Sequence, residues 1–375
     1  MAVLYAVGKR LVEADELLEA SITGKLDAFA AERSANPEAV LELSAGPVIG
    51  TELFSALTLP GGTTTPWNPI GIGKPLSIEL QYVYTGDCPM NWFSKTDMLL
   101  TSAIKARHIF AEAPRAINLL KDGVEHHTGY DTIHATEAGS VLLYHTPSLT
   151  ERSLVLTVEM VNDAFPDKPF EQVSGALGGA ASIPMFASAS LYLLAGAALT
   201  KLVGSIGEAI FDGSPFFRES EKILLDLPGT TDTITGQLVL TPDDRKDELG
   251  AKYEPNKDGM LVSASTGQKY NGDVPYVTVT LDGGERPEYK DFETTAASME
   301  LLGRFFHVGK TRPQPIDQIV EGLKLVNDVK YRKDADEQKE IMGKHPQGSD
   351  EYKKAKALYD AYVKLIQNEE FKPKS

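Results

Sequence analysis

The chain has 375 residues, 42% of them hydrophobic and 24% charged, the proportions of a globular protein with a core rather than of a disordered tail or a fibre. Its 53 acidic against 37 basic residues give a formal charge of -16. That field repels phosphate backbones, and no Lys/Arg-rich stretch offsets it, so nucleic acid is not an expected partner.

The length suits about two ordinary domains. The single cysteine, Cys88, permits no intramolecular disulfide and points to a reducing compartment. The opening MAVLYAVGKRLVEADELLEA lacks the basic-then-apolar order of a secretory signal, and the expected location is the cytoplasm.

In chain order, Val7, Leu11, Ala14, Leu18, Ile22, Leu26 and Phe29 recur at three- and four-residue steps and predict an amphipathic helix. Residues 1–45 are therefore expected to form an N-terminal helical segment. Residues 46–75 are dense in Gly, Pro and Thr (LPGGTTTPWNPIGIGKP) and read as a long irregular connection. The period then changes. Leu76, Ile78, Leu80, Tyr82 and Tyr84 alternate with Ser77, Glu79 and Gln81, predicting a strand with one buried and one outer face.

Met98–Ile104, Ala116–Leu120, Val141–His145 and Ser153–Met160 are further expected strands, with Asp122-Gly123 as a hairpin signal. Strands this close together, with no helices between them, predict an antiparallel sandwich rather than a parallel nucleotide-binding sheet. Residues 46–171 make up this first β unit.

Between Gln172 and Thr200 there is no charged side chain, and the apolar pattern continues past Lys201 to Phe211. Pro184 suits a first helical turn and Asp212-Gly213-Ser214-Pro215 a stop, so residues 172–215 are expected to hold a long apolar helix joining two units. Leu191, Leu194, Leu202 and Ile206 lie on its continuous face and are its expected membrane- or partner-contact residues.

Strand signals return at Ile223–Leu227, Thr235–Leu240, Met260–Ser263 and Tyr276–Leu281, giving a second β unit over residues 216–293. Residues 294–375 read as a C-terminal helical segment. Its helices are expected at Ala296–Phe306, at Ile316–Met342 with Ile316, Val320, Leu323 and Val326 on one face, and at Tyr352–Ile366. The predicted fold is thus α+β: two antiparallel β-sandwich-like units joined by a long apolar helix, with helical segments at both ends. The pattern Y-x-G-D-x-P occurs twice, at residues 84–89 and 270–275; turn chemistry alone accounts for such a coincidence.

Common catalytic signatures are missing. Gly303 to Thr311 ends in G-K-T but has five residues between its glycines where a phosphate-binding loop needs four, and Pro313 and Pro315 interrupt the helix that must follow. No G-x-S-x-G elbow is present. Cys88, with His108 or His145 to deprotonate it, is the candidate nucleophile. His126, His127, His134 and His145 crowd one region with Glu125 and are one metal candidate, for zinc or copper, although adjacent histidines on a strand point to opposite faces and cannot both ligate one ion without a bulge.

For calcium, the candidates are Asp243, Asp244 and Asp247, with Glu248, and Asp282, all carboxylates on loops at sheet ends; no cofactor is otherwise expected. These readings favour a non-enzymatic intracellular interaction protein with a protein partner. The alternatives are a membrane-active or lipid-binding protein using residues 184–211, and a hydrolase with a Cys/His site assembled only in three dimensions.

Overall fold

A computed structural model describes residues 2–7, 10–23, 67–90, 96–105, 115–121, 123–131, 141–163, 216–225, 235–289 and 316–374. The expected apolar helix at 184–211 lies outside these residues, as do the candidate helix at 296–306 and the contact residues Leu191, Leu194, Leu202 and Ile206. No described helix is long and apolar enough to cross a membrane.

The chain begins with strands, not with the helix that its periodicity predicts. β1 (Ala2–Val7) pairs with β2 (Arg10–Glu13), and α1 is only Ala14–Ile22. The reason is burial on both faces. Val3, Tyr5 and Val7 enter one hydrophobic core, while Ala2 and Leu4 enter a second. A strand covered on both sides has no polar face, so it shows a continuous apolar run rather than alternation.

The remaining strands are β3 (Leu76–Tyr84), β4 (Asp97–Lys105), β5 (Arg115–Lys121), β6 (Gly129–Asp131), β7 (Leu142–Thr146), β8 (Ser153–Asp163), β9 (Phe217–Leu224), β10 (Gly236–Thr241), β11 (Tyr253–Pro255), β12 (Leu261–Ser263) and β13 (Tyr276–Asp282). They form a seven-stranded sheet in the order β2-β1-β10-β13-β3-β6, with β7 also on β3, and a four-stranded sheet in the order β5-β4-β8-β9. All of these pairings are antiparallel. One core draws Leu76, Ile78 and Leu80 from the large sheet and Met98, Leu156, Val158 and Phe217 from the small one, so the two sheets face each other as a sandwich.

This topology corrects the division into two β units. β10 and β13, from the second expected unit, lie between β1 and β3 in the same sheet, and β9 completes the small sheet beside β8. Nor does Asp122-Gly123 close a hairpin: β5 pairs with β4, whereas the next strand, β6, belongs to the other sheet.

β3 spans the residues expected of it, but alternation holds only to Leu80. Leu80 pairs with Val279 and Tyr82 with Thr278, so Gln81 is an extra residue in the ladder. The bulge turns Tyr82 and Tyr84 away from the core that takes Leu80 and Val83, toward the second core. Ser77 and Gln81, expected outside, are buried. Gln81 donates to Lys257 O at 2.7 Å and accepts from Gln237 Nε2 at 2.8 Å.

The second core lies on the opposite face of the large sheet. It is covered by α2 (Lys246–Leu249) and the β11–β12 hairpin, which supply Leu249, Leu261 and Tyr253.

α3 (Ile316–Lys344) and α4 (Asp350–Leu365) follow the expected C-terminal helices closely. On α3, Val326 is 61% exposed, and among the described side chains the buried ones are Asn327, Asp328, Tyr331 and Ala335. Asp328 explains the choice, since its carboxylate accepts from Gln367 N and Asn368 N, each at 2.9 Å, and ties the end of α4 to α3. Tyr331, Leu365 and Ile366 form a small core of their own. α4 meets the sandwich where Ser148 Oγ donates to Ala361 O at 3.1 Å.

Candidate functional site

The Cys/His pairing does not form between Cys88 and His145. His145 is opposite Ser77 near the start of β3, and Cys88 follows its far end. Ser77 and Tyr84 are seven residues apart in one strand, about 23 Å at 3.3 Å per residue. Cys88 is buried, and that burial pushes its thiol upward in pKa, against hydrogen bonds from Asn162 and Thr85. A nucleophilic thiol needs the opposite shift. His108 lies outside the described residues.

Ser77 Oγ does lie 3.0 Å from His145 Nδ1, the elementary contact of hydroxyl nucleophiles. However, the two residues are only 1% and 2% exposed, and the Tyr289 ring closes over the imidazole edge-on at 5.6 Å. The pair satisfies two buried polar groups and offers no approach to a substrate.

The acidic candidates are divided between opposite ends of the large sheet. Gly236 pairs with Leu281, which places Asp282 at the start of β10, whereas Asp243, Asp244 and Asp247 follow its end at Thr241. They cannot share an ion. Asp282 Oδ1 accepts from Asn68 N at 2.7 Å, and Lys246 Nζ stands 3.3 Å from Asp243 Oδ1. Among the described residues no group of three or more His, Cys, Asp or Glu is placed to hold a metal.

The two Y-x-G-D-x-P segments, far apart in sequence, pack against each other. Asp87 N donates to Asp273 O at 2.9 Å, Tyr84 OH donates to Gly272 O at 3.1 Å, and the Tyr84 and Tyr270 rings meet edge-on at 5.4 Å. His126 Nδ1 lies 3.2 Å from Asp87 Oδ1, and His127 Nε2 lies 3.0 Å from Asp273 Oδ1. The adjacent histidines thus serve separate aspartates, one on each turn. His127 has φ +54°, so the pair is not on a strand. With every member partnered inside it, this cluster clasps three loops together.

One further surface gathers cations from several segments of the chain. A cleft of about 950 Å3 runs between the small sheet and α4, lined among the described residues by Lys105, Arg152, Lys222, Lys353 and Lys354 and by the carboxylate of Glu151. Its apolar lining comes from Ile72, Leu154, Val155, Ala357 and Leu358. Strand register builds the sheet side. Val155 on β8 pairs with Lys105 on β4 and with Lys222 on β9, so the three form one row across neighbouring strands. Leu154 and Leu156 point into the core, which turns Val155 and the flanking lysines outward. Two strand spacings separate the lysines' backbones by about 10 Å.

Helical spacing builds the other side: Lys353 and Ala357, and Lys354 and Leu358, are each four apart, and the same face continues to Ala361 at the docking contact. Lys356, off this face, is paired instead with Asp360 at 2.8 Å.

Four of these five cations are exposed lysines. Lys353 has one long contact, 3.8 Å to Asp350. In an acidic chain, the cleft is a local reversal of sign, able to hold carboxylates or other anions over an apolar floor. Sequence reasoning missed it because its cations come from four separate segments, and only the Lys353-Lys354 pair is visible locally. No known protein family matches this sequence, and a comparison with curated proteins finds no relative.

Proposed function

We propose that the protein is a non-enzymatic interaction protein that captures an acidic segment of a partner protein in the cleft between the small sheet and α4. The observation that carries this reading is the gathering of Lys105, Arg152, Lys222, Lys353 and Lys354 around apolar side chains in a chain of net charge -16. Charge complementarity of this kind steers encounter and selects the partner more than it adds affinity.

Two features favour a peptide over other anions. Among the described residues no aromatic ring lines the cleft, so they offer nucleic-acid bases no stacking platform. The negative field of the whole chain opposes a long polyanion or an anionic bilayer. A short segment presents only a few carboxylates, within the ~8 Å screening distance of the lysines. The apolar floor then takes one or two aliphatic side chains of the same segment.

The test is fluorescence anisotropy with a labelled peptide alternating Glu and Leu. Binding is expected at low salt and weakens steeply as salt rises. Lys222→Glu with Lys354→Glu is expected to lower affinity about tenfold or more, since exposed pairs are worth roughly 0.2–1 kcal/mol each and reversal adds repulsion. Equal binding of a peptide with Gln in place of Glu would overturn the reading. So would a preference for single-stranded oligonucleotide or anionic vesicles.

A further inference from the structure

We infer that the acidic partner segment is held as an added strand, paired antiparallel along the outer edge of β9, with its carboxylates beside Lys222. The inference rests on the cleft being a peptide site, and it adds how the segment is held. Its ground is the direction of the β9 backbone groups. Among the described strands, β9 is the last in the order β5-β4-β8-β9. Leu225 N donates to Arg152 O at 3.0 Å, one step beyond the pairing of Ser153 with Leu224. Bonded and non-bonded pairs alternate along an antiparallel ladder. Ile223 and Glu221 therefore also bond to β8, while the N–H and C=O groups of Leu224, Lys222 and Ser220 point the other way.

Two of those donors show this direction, and side chains meet both of them. Leu224 N donates to Tyr5 OH at 2.9 Å, and Lys222 N donates to the Glu221 carboxylate at 3.0 Å. Glu221 thus occupies a place that the carbonyl of a neighbouring strand would take. It pairs with Leu156, whose side chain enters the core, so it stands on the core side of the sheet while Lys222 faces the cleft. A charge placed there guards an edge against indiscriminate pairing.

Side-chain direction selects the occupant. Opposite charges facing each other across neighbouring strands stabilise the pair, and like charges oppose it. A glutamate opposite Lys222 falls on the cleft side, where the row of Lys105, Val155 and Lys222 runs across the sheet. The residues flanking that glutamate turn to the core side, beside Glu221 and Ile223, and suit an apolar side chain. A second copy of β9 fits worse: pairing about Glu221 or about Lys222 sets that residue opposite itself.

Backbone methylation of the peptide reads this geometry with the wild-type protein. In an antiparallel pair, the glutamate opposite Lys222 points its own N–H at β9, whereas the alternate leucines point theirs away. In fluorescence anisotropy, a Glu/Leu peptide N-methylated at its glutamates is expected to bind at least about tenfold more weakly than the unmodified one. N-methylation at the leucines is expected to change affinity less than about threefold. Saturating unmodified peptide is expected to slow amide exchange at Ser220 at least about tenfold. Glu221→Ala is expected to tighten binding several-fold, since it frees Lys222 N and removes a like charge.

Unmodified peptide that fails to bind overturns both this inference and the cleft reading. Peptide that binds equally well in all three forms, or that is weakened equally by either methylation, overturns strand addition and leaves the cleft reading intact. Weakening at the leucines alone overturns the antiparallel register. Unchanged exchange at Ser220 overturns the pairing, and unchanged affinity in Glu221→Ala overturns the guard. Protection of Ser220 that rises with protein concentration in the absence of peptide assigns the edge to a second copy and overturns the inference.

Discussion

His145 makes this fold acid-sensitive in a defined window. It is 2% exposed, and its imidazole is pushed from the ordinary 6.5 down to about 4. Burial is the main cause and the nearby Arg286 guanidinium the second, against a hydrogen bond to the Leu76 backbone that favours the charged form. Above about pH 6.5 the ring is neutral whether the chain is folded or not, and its contribution is complete. As pH falls from there toward 4, the unfolded chain binds a proton that the native chain refuses, so stability is lost. At 1.36 kcal/mol per pH unit the loss totals about 3 kcal/mol.

Urea unfolding of the wild type and of His145→Asn at pH 7, 6, 5 and 4 isolates this part from the carboxylates, which titrate alike in both. The asparagine keeps a hydrogen-bonding group for Ser77 but cannot titrate. The variant is expected to be less stable at pH 7 and to show a curve flatter by about 3 kcal/mol between pH 7 and 4. Parallel curves for the two proteins would refute the claim that His145 is held neutral by its site.

Gly86→Ala is expected to cost about 2–5 kcal/mol in chemical denaturation. Gly86 has φ +55°, and a β-carbon there would lie 2.6 Å from Pro275 N and 2.8 Å from the Val274 carbonyl carbon, against backbone that cannot rotate away. Ile78→Ala, in the shared core, is expected to cost about 2–5 kcal/mol. Gln81→Ala is expected to cost about 1–3 kcal/mol rather than the small amount its sequence position implies, because Gln237 Nε2 loses an acceptor in a buried setting and Lys257 O loses its donor. The two midpoints in urea check both claims. Asp328→Ala is expected to speed amide exchange at Gln367 and Asn368 more than tenfold while leaving exchange in β13 unchanged; equal effects at both places would mean that Asp328 supports the fold at large rather than the end of α4.

Much of the local structure was legible in the chain itself. β3, β4, β5, β7, β8, β10, β12 and β13 lie where apolar runs and turn residues put them, and the two C-terminal helices match their predicted spans within a few residues. Local propensity and side-chain periodicity act over neighbouring residues, so they leave their mark there. The same logic misled wherever a residue's surroundings are remote. Val7 and Leu11 keep helical spacing yet belong to a strand hairpin, because strands distant in sequence bury both faces of β1. Gln81 breaks the alternation of β3 because its ladder with β13 holds an extra residue, which no local pattern announces.

What the sequence determined by itself was therefore a set of elements and an antiparallel sheet class, along with a negative overall charge and a lack of familiar catalytic signatures. Tertiary structure alone decided that the strands of residues 76–163 and 217–282 interleave in one sandwich, since pairing partners are chosen by burial between residues far apart in sequence. It also joined the two Gly-Asp turns, and it placed Cys88 and His145 at opposite ends of a strand. Above all, it put Lys105, Arg152, Lys222, Lys353 and Lys354 around one cleft. Net charge is a sum that forgets position, whereas a field of 8 Å reach depends on which charges the fold makes neighbours.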